Sequence, residues 1–338
     1  MKFVIKILIS VIIYSLAINA QEKNRITIQG KVIDKETKEP LENVNVFLNN
    51  TTIGTTTNNE GAFLIKNVPY GSYNIIFSYL GYEVESKNLD SYKPYTFEFD
   101  IKLEPKPINL NQVNVTSEVP EDWQDDLEEF TTIFIGETDN SKKTKILNPE
   151  VLNFVKKGRE LKAYSDSVVK IENKALGYML YIVLDSVVYT PNAKVLYKLY
   201  PRFKELSPAS KDEEEEWKAN RQITYLDSPR HFYYALVHKQ LSEDYYSLRD
   251  ISGNLISPDD LDITCDKDSN LYEFKYTGKL EVQSFFNQKN ILTFYYPSVT
   301  IDKNGNIISY FYSVEINGYW ANQRIADLLP RNYVYLGK

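Results

Sequence analysis

Residues 26–33 read Ile26-Thr27-Ile28-Gln29-Gly30-Lys31-Val32-Ile33, and their period is two. Ile26, Ile28, Gly30 and Val32 share one face, while Thr27, Gln29 and Lys31 take the other. That alternation specifies a half-buried strand, because successive side chains of an extended backbone point to opposite sides of a sheet. Outward from it the same rhythm continues, punctuated by turn formers. The charged stretch from Asp34 to Pro40 gives way to Val44-Asn45-Val46-Phe47-Leu48, then Asn49-Asn50 and a Thr-rich strand over residues 52–57. Asn58-Asn59-Glu60-Gly61 turns the chain into Phe63-Leu64-Ile65, and Pro69-Tyr70-Gly71 turns it again into Tyr73, Ile75, Phe77 and Tyr79 on one face. Phe97, Phe99, Ile101 and Leu103 close the series opposite Thr96, Glu98, Asp100 and Lys102. Short strands at this spacing, with no helical period between them, predict a seven-stranded antiparallel β-sandwich over residues 24–104.

Ahead of the sandwich, Met1, Lys2 and Lys6 carry positive charge, residues 7–17 are an apolar run, and Ile18-Asn19-Ala20 precedes Gln21. This is the pattern of a secretory signal peptide over residues 1–20. The run is shorter than the roughly 20 residues that span hydrocarbon, so cleavage is expected and no transmembrane span after it.

Behind the sandwich, Pro105-Lys106-Pro107 opens a linker over residues 105–119, and residues 120–338 change character. Trp123, Leu127, Phe130 and Phe134 have helical spacing after Pro120, with acidic residues in the first turns. Val151, Leu152, Phe154 and Val155 suggest a second helix from Pro149. Strands are expected over residues 167–172, 178–184 and 195–200. The acidic run before Trp217 reads as a solvated helix face or loop, and Ser228-Pro229 as a helix start with serine as cap. Further strands are expected over residues 271–285, 291–301 and 307–316, then a short helix over residues 320–329. The expectation is an α+β domain with a mainly antiparallel sheet, in a chain that is mainly β.

Composition removes several chemistries. Of 338 residues one is Cys and two are His, and Asp+Glu outnumber Lys+Arg 46 to 39. Cys265 alone builds neither a disulfide nor a Cys-rich zinc site, and the acidic balance argues against a nucleic-acid partner. A zinc peptidase needs an acidic residue three positions after a histidine, but His231 is followed there by Tyr234 and His238 by Leu241. Nucleophile-elbow, Walker and Gly-x-Gly-x-x-Gly patterns are absent. Asp302-Lys303-Asn304-Gly305-Asn306 begins like a calcium loop, but Ser313 stands at the twelfth position and Asn304-Gly305 reads better as a hairpin turn. Asp259, Asp260, Asp262, Asp266 and Asp268 form a denser acidic group able to hold Ca²⁺ loosely, but read better as a solvated turn. No catalytic, cofactor-binding or metal-binding residue is therefore expected. A glycosidase needs only two carboxylates, such as Asp185 and Glu315, and the sequence leaves that open. With 27 Tyr, 16 Phe and 3 Trp, an exposed ligand platform is sought at Tyr295, Tyr296, Tyr310, Tyr312, Tyr319 and Trp320.

Five segments carry a resemblance: residues 30–34, residues 40–46, Gly54 through Phe63 with Thr55-Thr56-Thr57-Asn58-Asn59-Glu60-Gly61 inside, residues 68–73, and Ser78-Tyr79-Leu80-Gly81-Tyr82. In this order and spacing they resemble the carboxypeptidase-like regulatory domain, a transthyretin-like or carbohydrate-binding-like sandwich also found at the N-terminus of TonB-dependent receptors. The resemblance implies a sandwich fold and a Gram-negative envelope setting, in the periplasm or at the outer-membrane surface. It implies no catalytic residue. About 220 residues follow, too few for a receptor plug and a 22-stranded barrel at about ten residues per strand. Residues 134–138, 146–152, 175–178, 228–232 and 324–330 resemble an uncharacterised C-terminal region that accompanies such sandwiches. The function expected from this is a non-catalytic exported envelope module for binding or assembly, associated with outer-membrane uptake systems, whose partner is an envelope protein or glycan. The alternatives are a carbohydrate-active or peptide-cleaving enzyme in the C-terminal domain, and carbohydrate binding by the sandwich itself.

Overall fold

The computed structural model describes residues 25–106, 122–191, 195–284, 286–308 and 313–335. The expected signal peptide over residues 1–20 and residues 107–119 of the expected linker lie outside them. Two compact units result, one of residues 25–49 and 53–106, the other of residues 50–52 and 122–335.

The first unit is a sandwich of seven strands. β1 (Arg25–Asp34), β4 (Ala62–Pro69) and β7 (Thr96–Leu103) form one sheet in the order β4-β1-β7. β2 (Asn45–Leu48), β3 (Gly54–Thr56), β5 (Gly71–Ser78) and β6 (Glu85–Ser91) form the other in the order β3-β2-β5-β6. The alternation of β1 places Ile26, Ile28 and Val32 in the core, where they meet Val46, Leu48, Ile75, Phe77, Ile101 and Leu103. One pairing departs from the expected antiparallel pattern: β1 and β7 are parallel, with Thr27 level with Thr96 and Gly30 level with Phe99. After β6 the chain enters the first sheet level with the start of β1, which fixes that direction.

In the second unit every strand pairing among the described residues is antiparallel. Helix α1 (Trp123–Ile135) buries Phe130 and Phe134, the face its spacing predicts. A six-stranded sheet follows, built from β8 (Thr144–Ile146), β9 (Leu152–Lys157), β10 (Glu160–Ser165), β11 (Val169–Asn173), β12 (Tyr178–Tyr189) and β13 (Val195–Glu205). The helix expected at Pro149 is only a 3-10 turn, Pro149–Val151, before β9. The β-branched and aromatic residues there pack better on a pleated surface, and Leu152 turns inward opposite Ser165 of β10.

Helices α2 (Lys211–Leu226) and α3 (Pro229–Val237) come next. The acidic run is the first turn of α2, where Asp212, Glu213 and Glu214 face the positive end of the helix dipole. Ser228 caps α3 by accepting from the His231 backbone N–H. A second core forms where Phe232 and Leu236 of α3 meet Leu248, Phe274, Leu280, Leu292, Val299 and Ile301. Its strands are β14 (Ser247–Arg249), β15 (Leu255–Ile256), β18 (Gly278–Gln283), β19 (Lys289–Phe294) and β21 (Val314–Gly318) in one sheet. β16 (Asp262–Asp266), β17 (Leu271–Lys275) and β20 (Ser298–Asp302) make the other. The helix expected over residues 320–329 is instead two 3-10 turns, Tyr319–Asn322 and Ile325–Asp327. Trp320 of the first turn packs in this second core, while Ile325 and Ala326 of the second pack in the core under α1. Serving two cores within six residues is incompatible with one continuous helix face.

Candidate functional site

Helix α2 is held to the turn between β11 and β12 by three side chains. Trp217 Nε1 donates to the Lys174 carbonyl at 2.8 Å, and Asn220 Nδ2 to the Ala175 carbonyl at 2.9 Å. Arg221 donates to the carbonyls of Leu176 and Gly177 at 2.6 and 3.2 Å. Gly177 has φ +68°, and a Cβ there would lie 2.3 Å from the Trp217 ring, so only glycine lets the helix approach this closely. Fixed in this way, the Arg221 guanidinium lies 4.0 Å from the centroid of the Tyr178 ring, in cation–π geometry.

A second arginine organises the segment after the last 3-10 turn. Arg230, in the first turn of α3, donates to the carbonyls of Asn304, Pro330, Arg331 and Tyr333 at 2.8–3.2 Å. Its guanidinium also lies over the Tyr225 ring at 5.5 Å. Tyr335 stacks on Tyr225 with ring centroids 5.3 Å apart, and Tyr333 tilts against it at 5.8 Å. The result is a cleft of about 490 Å³ with Tyr178, Tyr333 and Tyr335 in its walls and Glu205, Arg221 and Gln222 beside them. Burial raises the pKa of Tyr178 and Tyr333 above the ordinary phenol value, so these two rings stay neutral at physiological pH.

Behind the cleft the titratable groups have structural partners. His231, 5% exposed, places Nδ1 within 2.9 Å of the Tyr246 hydroxyl and 3.1 Å of the Leu226 carbonyl, and Nε2 3.5 Å from Asp244. His238 Nε2 lies 2.8 Å from the Lys303 carbonyl. The two histidines therefore serve separate contacts. Among the described residues no group of three or more His, Cys, Asp or Glu is placed to hold a metal ion. Asp302 takes the backbone N–H groups of Asn304 and Asn306 on its carboxylate, as a hairpin turn does.

Two buried carboxyls are different. Asp327 accepts from Thr138 at 2.9 Å and Asn140 at 2.8 Å, yet burial still raises its pKa. Asp227 joins α2 to α3 at 8% exposure, and Tyr319, Ser284 and Trp320 face its carboxyl. Asp227 Oδ1, Ser284 Oγ and Trp320 Nε1 nevertheless each lack a partner in hydrogen-bond geometry. Burial therefore outweighs those donors, the Asp327 charge adds to it, and the pKa is pushed up to about 6. A carboxyl whose folded pKa is raised keeps its proton longer in the folded chain. Its contribution to stability is full below pH 4, falls as pH rises from about 4 to 6, and is lost above that. Asp227→Asn should abolish that slope. In urea unfolding it should match the parent at pH 4 and exceed it at pH 7, by up to about 3 kcal/mol for two pKa units. An unchanged slope would refute this account of Asp227.

The expected aromatic platform is dispersed. Tyr295 and Tyr296 are exposed, at 56% and 48%, in the turn between β19 and β20. Tyr319 is partly buried beside Asp227, and Trp320 is only 3% exposed, packed against Phe232 at 5.9 Å. Trp320 is thus a core residue and not part of an exposed platform, because its ring closes the second core. The β19–β21 register pairs Phe294 with Val314 and Asn290 with Gly318, which sets Tyr295 and Tyr319 at opposite ends of the ladder. Tyr310 and Tyr312 lie outside the described residues. The cleft tyrosines were missed. Their one sequence signal is the alternation Asn332-Tyr333-Val334-Tyr335, a half-apolar pattern.

The first unit is a seven-stranded β-sandwich by strand order and core. The chain carries a carboxypeptidase-regulatory-like domain: the model of the family described as CarboxypepD_reg-like domain matches residues 28–115. No curated protein matches the chain. Among solved structures, a type II cohesin–X-dockerin complex from Acetivibrio cellulolyticus is 20% identical over 24% of this chain and 58% of that one, with a TM-score of 0.21. The minor pilin GBS52 of Streptococcus agalactiae is 18% identical over 25% and 46%, with a TM-score of 0.21. A Bacteroides uniformis protein provisionally named as carbohydrate-binding is 11% identical over 82% and 98%, with a TM-score of 0.18. The chain spans about half the length of the first two. No helix among the described residues is long and apolar enough to cross a membrane.

Proposed function

We propose that this protein is a non-catalytic module of the Gram-negative envelope, exported by its leader, which binds a ligand in the tyrosine cleft of its second unit. The observation that supports the reading is the cleft itself. Neutral rings wall it, and its arginine is already engaged with backbone carbonyls and an aromatic face, so it offers contact area and hydrogen bonds in place of a reactive group. The regulatory-type sandwich supports an envelope setting, with outer-membrane uptake systems as the associated machinery.

Two measurements test this. Mass spectrometry of the chain from a fractionated Gram-negative host should find it in the envelope fraction, beginning at Gln21. A cytoplasmic chain beginning at Met1 would remove the export half of the proposal. Turnover of peptides and glycans should stay at background. Hydrolysis that Asp227→Asn abolishes would establish an enzyme using Asp227 and Asp327 instead.

A further inference from the structure

We infer that the tyrosine cleft takes an uncharged oligosaccharide, with the C–H faces of sugar rings on Tyr333 and Tyr335 and hydroxyls on Glu205 and Gln222. This deepens the reading of the cleft as a ligand site and rests on it.

Three features of the cleft decide the class. First, charge is balanced locally. Lys218 pairs with Glu214 at 2.7 Å and Glu215 at 3.1 Å, and Arg221 lies 3.7 Å from Glu205, so an anionic ligand finds no uncommitted cation. Second, five backbone acceptors around the cleft are occupied. Pro330, Arg331 and Tyr333 give their carbonyls to Arg230, and Leu176 and Gly177 give theirs to Arg221. Peptide recognition by strand addition requires an open row of such groups. Third, what remains is the half-buried rings of Tyr333 and Tyr335 beside two planar polar side chains: the Glu205 carboxylate and the Gln222 amide, which donates to the Tyr335 hydroxyl at 3.4 Å. Vicinal hydroxyls, each both donor and acceptor, pair with such groups, while the less polar ring faces lie on aromatic surface. The volume, about 490 Å³, lies in the range of ordinary ligand pockets.

The test is calorimetric titration of the full chain with cellohexaose, maltohexaose and chitohexaose, and with an uncharged, end-capped hexapeptide. At least one hexasaccharide should bind, the peptide should not, and Tyr333→Ala should weaken the sugar about tenfold or more. Glu205→Ala and Gln222→Ala alter exposed side chains and should weaken it too, with unchanged melting; they carry the test if Tyr333→Ala lowers stability. Failure of all three sugars overturns the inference. Peptide binding that the same variants abolish would also overturn the sugar class, yet leave the cleft as a ligand site. Sugar binding indifferent to all three variants would overturn both, placing recognition elsewhere in the chain.

Discussion

Gly30→Ala is expected to detach β7 from the first sheet. A Cβ built on Gly30 would lie 1.9 Å from the Phe99 carbonyl oxygen and 2.9 Å from the Phe99 nitrogen. Those are backbone atoms of the parallel neighbour, so no rotamer change relieves the overlap. Either the β1–β7 ladder opens or β1 bends away from the core that Ile26, Ile28 and Val32 fill. Glycine inside a strand marks a close backbone approach of this kind. The cost should reach about 3 kcal/mol or more, beyond ordinary overpacking, because main chain must move. Urea unfolding should show the loss, while Lys31→Ala, at an exposed neighbour, should stay within about 0.5 kcal/mol. An unshifted midpoint for Gly30→Ala would mean that β1 and β7 do not pair in this register.

Arg230→Leu should be the most damaging single change in the second unit. Its four carbonyl partners lie on two chain segments, at Asn304 and at Pro330, Arg331 and Tyr333. Leucine fills much of the volume and satisfies none of them, and each carbonyl left buried without a donor costs about 1–3 kcal/mol. A total near 3–5 kcal/mol is expected, since some carbonyls regain water. Lysine should not rescue, because one ammonium cannot span acceptors that a forked guanidinium reaches together. The local effect is separable from the global one. Trypsin should cut after Arg331 faster than after other sites in the variant, whereas in the parent the clamp protects that bond. Equal cutting in the two proteins would show that Arg230 does not order the segment.

The sandwich was legible from alternation where a strand has one wet face, as in β1 and β7, although β5 buries Ile75, Ile76, Phe77 and Ser78 in a row. The same logic found α1 and α3, whose apolar spacing or cap is local, and left α2 open between a helix face and a loop. Failures came where tertiary context decides. Residues 149–157 offered apolar residues at spacings compatible with either helix or strand, and pairing with β10 chose the strand. Residues 319–327 have helical composition but are drawn into two cores. The parallel direction of β7 has no local signature at all, since side-chain alternation is the same in either direction. The site was less legible than the fold. Arg221 and Arg230 act through carbonyls 44 to 103 residues away in sequence, and carbonyls carry no sequence signal. Tyr295 and Tyr296 lie in an exposed turn, whereas the burial of Trp320 depends on Phe232 from a distant helix.

The grip of α2 on the β11–β12 turn bears on association as well as on folding. Arg221 and Tyr178 are held by these contacts in the chain itself, so on the proposed reading this wall loses little rotational freedom when a complex forms. Ordering flexible side chains commonly subtracts about 0.5–1.5 kcal/mol each from affinity. Arg221 is largely spared that loss, and differences in affinity among guests should therefore track the less constrained Glu205 and Gln222.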